Sequence, residues 1–233
     1  GKQGWHRGRH GVQGQGWYTS EIKDYYSQLL GLSGDDSYEE RCKLHTVCGH
    51  DGGILHSGDG RISIVTYHGD FNYSAVNNLG ASYAAGEYIL LLNNDTEVIT
   101  ANWMEEMLMY AQREDVGAVG AKLYYADKTI QHAGVVIGLG AHRTAGHTHY
   151  RIPVQNLGYM GRLCYTQNVT AVTGACLLVK KSLYEQVGGL DESFVISLND
   201  VDFCLKLRKL GLLNVWTPFA ELYHYESISR GLD

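Results

Sequence analysis

A few carboxylates, one imidazole and one glycine stand where a reaction centre would need them. Asn93-Asn94-Asp95 closes the apolar run Tyr88-Ile89-Leu90-Leu91-Leu92. Such a run, preceded by Gly86 and followed by polar residues, reads as a buried parallel strand. Open α/β sheets bind ligands at the carboxyl ends of their strands. A carboxylate there can hold a hard divalent cation, and the cation a diphosphate, although Asn-Asn-Asp-Thr also suits a plain turn. Asn199-Asp200-Val201-Asp202 opens a second candidate region. Acidic residues in a first helical turn commonly serve as caps or dipole partners. Asp200, however, follows the apolar stretch 194–198 and can face a cleft, where a carboxylate takes a proton from an incoming hydroxyl. Residues two apart on a helix are separated by about 200°, so Asp202 should point away or cap its own helix. His224 can complete a metal site begun by Asp95, or be structural. Thr173-Gly174-Ala175 offers a glycine for close backbone approach to a ligand, or for tight strand packing.

The elements that must carry these residues are legible from residue 61 onward. Residues 61–67 alternate like a strand, 74–85 reads as a helix and 88–92 as a strand. A helix over 101–113 places Trp103, Met104, Met107, Leu108 and Ala111 on one side. Strands follow over 118–125 and 130–137. Residues 138–165 form a long irregular stretch rich in Gly, His and Tyr, too long for a plain connection. A short buried strand is expected over 175–179, a short helix over 181–187, and an amphipathic helix over 199–210 ended by Gly211. The last strand, 213–217, should stop at Pro218. Residues 1–60 differ: they hold 13 of the 29 glycines and no proline. Two short helices are expected there, one capped by Ser20 with Ile22, Tyr25, Tyr26, Leu29 and Leu30 on a face, the other from about Asp36 through Tyr38, Cys42 and His45. The rest of 1–60 reads as loop, contributing little to any sheet.

Composition narrows the class. The 233 residues are 44% hydrophobic and 19% charged, ordinary for a globular protein. No apolar run reaches the roughly 18 residues that span a bilayer, and the Gly-rich first twenty residues do not read as a signal peptide. A net charge of −6 argues against a nucleic-acid partner held by phosphate contacts. The five scattered cysteines fit reduced thiols in a cytoplasmic protein. Cys42, His45, Cys48 and His50 match no standard zinc-ligand spacing.

The motifs also come in a telling order. Phe71-Asn72-Tyr73-Ser74 with Asn77-Asn78 precedes Gly86-Glu87-Tyr88 and Leu92-Asn93-Asn94-Asp95-Thr96-Glu97-Val98. Then come Thr173-Gly174-Ala175-Cys176, Val187-Gly188-Gly189-Leu190-Asp191-Glu192, Asn199-Asp200-Val201-Asp202, His224-Tyr225-Glu226-Ser227 and Ser229-Arg230-Gly231. Over residues 61–233 this series resembles the family 2 glycosyltransferases of the GT-A fold, notably bacterial enzymes that build O-antigen, capsule or other cell-wall polysaccharide.

The resemblance implies an α/β fold with a mostly parallel sheet flanked by helices. It implies a DxD-type motif at Asn93-Asn94-Asp95, with Asp95 and His224 on Mg²⁺ or Mn²⁺, and Asp200 as general base. Asn199 stands where Glu is more usual. Asn72, Asn77 and Asn78 are the remaining candidates for holding the nucleotide-sugar donor, and Thr173, Gly174, Ala175, Asn199 and Arg230 for contacting substrate. The reaction implied is inverting transfer to a saccharide or lipid-linked acceptor. A lipid-linked acceptor would call for peripheral contact at the inner face of the membrane, although no basic amphipathic helix demands one.

Such enzymes normally open with two strands that contact the base and ribose, and residues 1–60 show no sequence of that type. Residues 1–60 are expected to be an unrelated or degenerate lead-in, a shifted reading frame, or an extension folding in its own way. The alternative to an enzyme is therefore an inactive glycosyltransferase-like module that binds saccharide or a partner.

Overall fold

The computed structural model describes residues 26–32, 42–48, 55–56, 62–139 and 143–225. The strands are β1 (Tyr26–Leu32), β2 (Cys42–Cys48), β3 (Leu55–His56), β4 (Ile62–Thr66), β5 (Tyr88–Asn93), β6 (Thr96–Val98), β7 (Val116–Tyr124), β8 (Ile130–His132), β9 (Val135–Ile137), β10 (Ala145–His147), β11 (Gln167–Val169), β12 (Cys176–Lys180) and β13 (Leu213–His224). The helices are α1 (Tyr73–Tyr83), α2 (Trp103–Ala111), α3 (Lys181–Gln186) and α4 (Asn199–Lys209).

One sheet runs in the order β11-β13-β7-β12-β5-β1-β2-β4-β3, with β6 added on β13 and β8 on β7. β9 and β10 form a separate hairpin. Burial explains the middle of the sheet. β5 and β12 are apolar on both faces, with Ile89, Leu91, Leu177 and Val179 packed on one side and Leu90, Leu92, Cys176 and Leu178 on the other. The first face is covered by Tyr184 of α3 and by Phe203, Cys204 and Leu207 of α4, the second by Trp103, Met107 and Ala111 of α2. Val76 of α1 packs on Val65 of β4. Cys176 and Cys204 are buried thiols, whereas Cys164 is exposed. Among the described residues no helix is long and apolar enough to cross a membrane.

Five expectations are corrected. The sheet is mixed and not mostly parallel: β2–β4 and β7–β13 pair in parallel, while β12 and β1 run against their neighbours. A strand buried on both faces reads as an apolar run in either direction, so the run at 88–92 carried no directional information. The segment expected as a helix through Leu30 instead forms β1, which pairs with β5 from Leu32↔Tyr88 to Ser27↔Asn93. Without β1 the inner edge of β5 would leave a row of buried peptide groups unpaired, and satisfying them outweighs a weak local helical preference. The segment expected as a helix through Cys42 and His45 forms β2, between β1 and β4. Residues before 60 therefore do join the sheet. The Ser20 cap and Ile22 lie outside the described residues.

The fourth correction bears on the site. β13 does not stop at Pro218 but continues to His224. Between Trp216↔Gly120 and Glu221↔Lys122 the register shifts, so five steps along β13 match two along β7. A bulge of this kind is where a strand accepts proline, since no ladder donor is needed there. Similarly, the strand expected over 130–137 is broken at Gly134, whose φ of 95° ends β8 before β9 begins.

Candidate functional site

The continuation of β13 delivers His224 to Asp95. β5 ends at Asn93, a turn closed by Thr96 Oγ1 donating to the Asn93 carbonyl at 2.8 Å reverses the chain, and β6 pairs with β13 through Thr96↔His224. The Tyr225 amide donates to the Asp95 carbonyl at 2.9 Å. In this register Asp95 Oδ1 lies 3.1 Å from His224 Nε2, and Asn93 Nδ2 also lies 3.1 Å from that nitrogen.

Gln131 sets the imidazole tautomer. Its Nε2 donates to the His224 carbonyl at 3.4 Å, which orients the amide. Its Oε1 then lies 2.7 Å from His224 Nδ1, and an amide oxygen can only accept, so Nδ1 carries the proton. His224 is buried, and Nε2 turns towards Asp95. Two electronegative atoms at this distance call for a positive charge between them, either a proton on Nε2 or a metal ion. Their 3.1 Å separation is close to the roughly 3 Å between adjacent ligands of an octahedral ion with bonds of about 2.1 Å. The donor set thus fits a small divalent cation. Among the described residues no group of three or more His, Cys, Asp and Glu could hold an ion, so waters and substrate oxygens would fill the other positions. Asn94 is exposed on the turn beside them.

A cleft of about 250 Å³ lies beside this pair, lined in part by Asn93, His224, Gly174, Asn199 and Asp200. Thr173 and Ala175 line it too, and the Asn93 amide donates to the Ala175 carbonyl at 3.0 Å, tying the two halves of the floor. Gly174 is held from both sides. Its N–H donates to Asp200 Oδ2 at 2.9 Å and its carbonyl accepts from the Tyr73 hydroxyl at 2.9 Å. Burial, with the Asp200 charge second, pushes the Tyr73 phenol far above its ordinary value, so it remains a donor. Asp200 Oδ1 accepts the Val201 amide at 2.8 Å. A carboxylate has about four lone-pair sites, so two remain for substrate. Asp202 turns to its own helix and pairs with Lys206 at 2.9 Å. Asn199 is buried at the cleft wall, with Oδ1 accepting the Asp200 amide at 2.8 Å. Leu198, just before α4, holds a left-handed φ of 67°. For a branched side chain that conformation costs on the order of 1–3 kcal/mol and marks a constrained segment.

The three upstream asparagines do other work. Asn72 caps α1, with Oδ1 accepting the Ala75 amide at 3.1 Å and Nδ2 donating to the Glu192 carbonyl at 2.8 Å. Asn77 is fully buried, donating to the Tyr73 carbonyl at 2.8 Å. Asn78 Oδ1 accepts the Tyr184 hydroxyl at 2.7 Å and the Leu190 amide at 2.9 Å, while Nδ2 donates to the Leu190 carbonyl. None of the three lines the cleft. Asn72 and Asn78 brace 190–192 against α1, while Asn77 bonds within α1, and the braced segment leads towards Asn199 and Asp200. Arg230 lies outside the described residues.

Sequence reasoning missed Gln131, Tyr73, Leu198 and a pair of histidines. His132 is buried, its Nδ1 lies 2.8 Å from Nδ1 of His147, and the Thr173 amide donates to its Nε2 at 3.4 Å. Burial, then the neighbouring His147 and His224, hold His132 well below the usual histidine value. His147 lines the cleft.

A mixed sheet covered by helices on both faces is the layered architecture of the GT-A fold. A solved structure of GalNAc-T7 with UDP, GalNAc and Mn²⁺ shares the fold, with a TM-score of 0.54 at 12% identity over 70% of this chain and 32% of that one. The chain belongs to glycosyl transferase family 2, whose family model matches residues 53–188. It is 51% identical over 77% of its length to an uncharacterised protein of Sinorhizobium fredii. It is 42% identical over 75% of its length to the O-antigen biosynthesis protein RfbC of Myxococcus xanthus. The chain spans only 20% and 14% of the lengths of these two relatives.

Proposed function

We propose that this chain carries the reaction centre of an inverting, metal-dependent transferase. It moves a sugar from a nucleotide-activated donor to a saccharide or lipid-linked acceptor in bacterial cell-surface polysaccharide synthesis. The observation that carries the reading is the pairing of Asp95 with His224, 3.1 Å apart, beside a cleft that His224 and Asp200 both line. The resemblance to an O-antigen biosynthesis protein supports the polysaccharide context.

Asp95 Oδ1 and His224 Nε2 would hold Mg²⁺ or Mn²⁺, which offsets the charge of the departing nucleoside diphosphate. Gln131 holds the proton of the neutral ring on Nδ1, which would leave the Nε2 lone pair to the ion, as outer-shell partners of metal-bound histidines do. Asp200, steadied by the Gly174 and Val201 amides, accepts the proton of the acceptor hydroxyl. The hydroxyl oxygen forms the new bond to the anomeric carbon from the face opposite the leaving group. The bond from that carbon to the diphosphate oxygen breaks with its electron pair, and the configuration inverts.

The test is calorimetric binding of UDP- and dTDP-sugars to the chain with and without Mn²⁺, beside electron paramagnetic resonance of Mn²⁺ binding. The expected result is donor binding that requires the ion, and ion binding that Asp95→Asn weakens at least tenfold. Donor binding indifferent to both Mn²⁺ and Asp95→Asn overturns the metal assignment. Donor binding with no transfer under any acceptor would leave a binding module.

A further inference from the structure

Between β10 and β11 the chain builds a surface that the reaction centre does not use. Residues 156–164 fold into a tight knuckle in which Gly158, Met160 and Gly161 hold left-handed φ values of 73°, 52° and 73°. Its base is pinned. Asn156 Oδ1 accepts the Gly158 amide at 2.8 Å, the Leu163 amide donates to the Leu157 carbonyl at 3.0 Å, and Leu163 itself is buried in the core. Its tip lies in solvent, with Leu157 63%, Tyr159 77% and Met160 79% exposed. A left-handed conformation is unfavourable for methionine, and exposing large apolar side chains opposes the hydrophobic effect. A tip that combines both marks an interaction surface.

The surface extends beyond the knuckle. A Cβ on Gly158 would come within 3.0 Å of His149 Nε2, so the knuckle rests on the segment before it. That segment is laced to the turn after β7. The Arg151 amide donates to the Ile130 carbonyl at 2.8 Å, the Val154 amide to the Lys128 carbonyl at 3.1 Å, and the Arg151 guanidinium lies 3.9 Å over the Tyr125 ring. Arg151 pairs with Asp127 at 3.2 Å, while Lys128 and Arg162 are exposed beside the tip. Arg162 gives its Nε–H to Gln167 and keeps its terminal N–H groups. Residues 128–165 hold four of the 19 Lys and Arg and none of the 25 Asp and Glu, a net charge of +4, whereas the rest of the chain carries −10.

We infer that this surface docks the chain on an anionic phospholipid bilayer, with Leu157, Tyr159 and Met160 entering the interface and Lys128 and Arg162 meeting the headgroups. Charge favours a bilayer over a protein partner of no particular charge: the contrast between +4 and −10 turns this face, and not the acidic bulk, towards a negative surface. The tip is a few side chains wide, with an aromatic ring and flanking cations, as suits the headgroup boundary. Loops and not a basic amphipathic helix supply it. β10 lines the cleft with Ala145, Gly146 and His147 and runs on into Tyr150 of the same surface. On the transferase reading, on which this consequence rests, the docked cleft lies next to the bilayer and its acceptor belongs to the lipid-linked class.

The experiment sediments the 233-residue chain with vesicles of phosphatidylcholine alone or with about 30 mol% phosphatidylglycerol, at about 0.1 M and 0.5 M salt. Binding should require phosphatidylglycerol and weaken at the higher salt. Lys128→Gln/Arg162→Gln should weaken it roughly 10- to 30-fold, and Tyr159→Ser/Met160→Ser at least about tenfold. Brominated lipid should quench a Tyr159→Trp chain beyond the wild type. No vesicle binding, equal binding to both vesicle types, undiminished binding by either double variant, or no added quenching in Tyr159→Trp overturns the proposal. Self-association that Tyr159→Ser/Met160→Ser abolishes, without vesicle binding, assigns the tip to a second copy and also overturns it. Both double variants should keep the wild-type circular dichroism and bind UDP with Mn²⁺ within about twofold of wild type, which separates docking from folding. A wild-type chain that binds vesicles but not UDP refutes the transferase reading and leaves the docking surface standing. One that binds UDP but no vesicles refutes the docking alone.

Discussion

A methyl group at Gly174 tests how the floor of the cleft is held. A Cβ built there would sit 2.8 Å from the Tyr73 hydroxyl and 3.4 Å from the nearest ring carbons. Ordinary contact begins near 3.4 Å, so a shift of roughly 0.6 Å is required. Gly174 is not among the residues with a positive φ, so alanine itself is an allowed backbone choice and the clash is isolated. The Tyr73 hydroxyl cannot move away freely, because it donates to the Gly174 carbonyl at 2.9 Å. Overpacking of this kind costs about 1–3 kcal/mol, and a strained or broken hydrogen bond about 0.5–1.5 kcal/mol more. Gly174→Ala should therefore destabilise by roughly 2–4 kcal/mol in urea unfolding, with about 2–4 °C of Tm lost per kcal/mol. Because the Gly174 amide also steadies Asp200, turnover should fall at least about tenfold, since misplacement by 1 Å can cost about 10²-fold. Tyr73→Phe removes the atom in the way and should cost about 1–2 kcal/mol alone. In the double variant the Cβ meets only ring carbons at ordinary distance, so its stability should lie close to that of Tyr73→Phe. That corresponds to a coupling of about 2–4 kcal/mol. Single effects that add within about 0.5 kcal/mol would refute the close-approach argument.

Asp200→Asn keeps the shape and removes the basicity. In the complete enzyme turnover should drop about 10²–10⁴-fold with donor affinity nearly unchanged, and near-normal turnover would reject Asp200 as the base. Gln131→Leu should weaken Mn²⁺ binding about 10–100-fold by freeing the His224 tautomer, and unchanged affinity by electron paramagnetic resonance would show that Gln131 does not orient that ring. His132 is held well below its ordinary value of 6.5, mainly by burial, so below about pH 6.5 the unfolded chain binds a proton that the folded chain resists. Stability from this group is thus full above pH 6.5 and declines as pH falls, by up to about 1.4 kcal/mol per unit. Comparing urea unfolding at pH 7.5 and 5.0, His132→Asn should show the shallower decline, and identical declines would rule this out.

The parts of the site written in contiguous residues were legible in the sequence, and the parts that depend on strand register were not. Asp95 could be placed because an apolar run ending in Asn-Asn-Asp names its own position at a strand end. Asp200 and Asp202 could be separated because helical geometry turns residues two apart to different sides, and Asp202 does pair with Lys206. The helices over α2 and α4 and the strands β5, β7 and β12 followed from apolar periodicity. β1 and β2 did not, because Leu29 and Leu30 fit a helical face as well as a pleat over so short a window, and only the open edge of β5 decides between them. Asn72, Asn77 and Asn78 looked like ligand-binding groups because an asparagine in sequence does not reveal whether its amide is already engaged; here Asn72 and Asn78 bind 190–192 and Asn77 bonds within α1. His224 depends most on register. It reaches Asp95 only because β13 absorbs Pro218 in a bulge, resumes pairing with β7 at Glu221↔Lys122, and sets Thr96 opposite His224 on β6. A slip of one residue between β6 and β13 would turn the imidazole to the other face. Every motif would remain intact in the sequence, and the Asp95–His224 pair would not form.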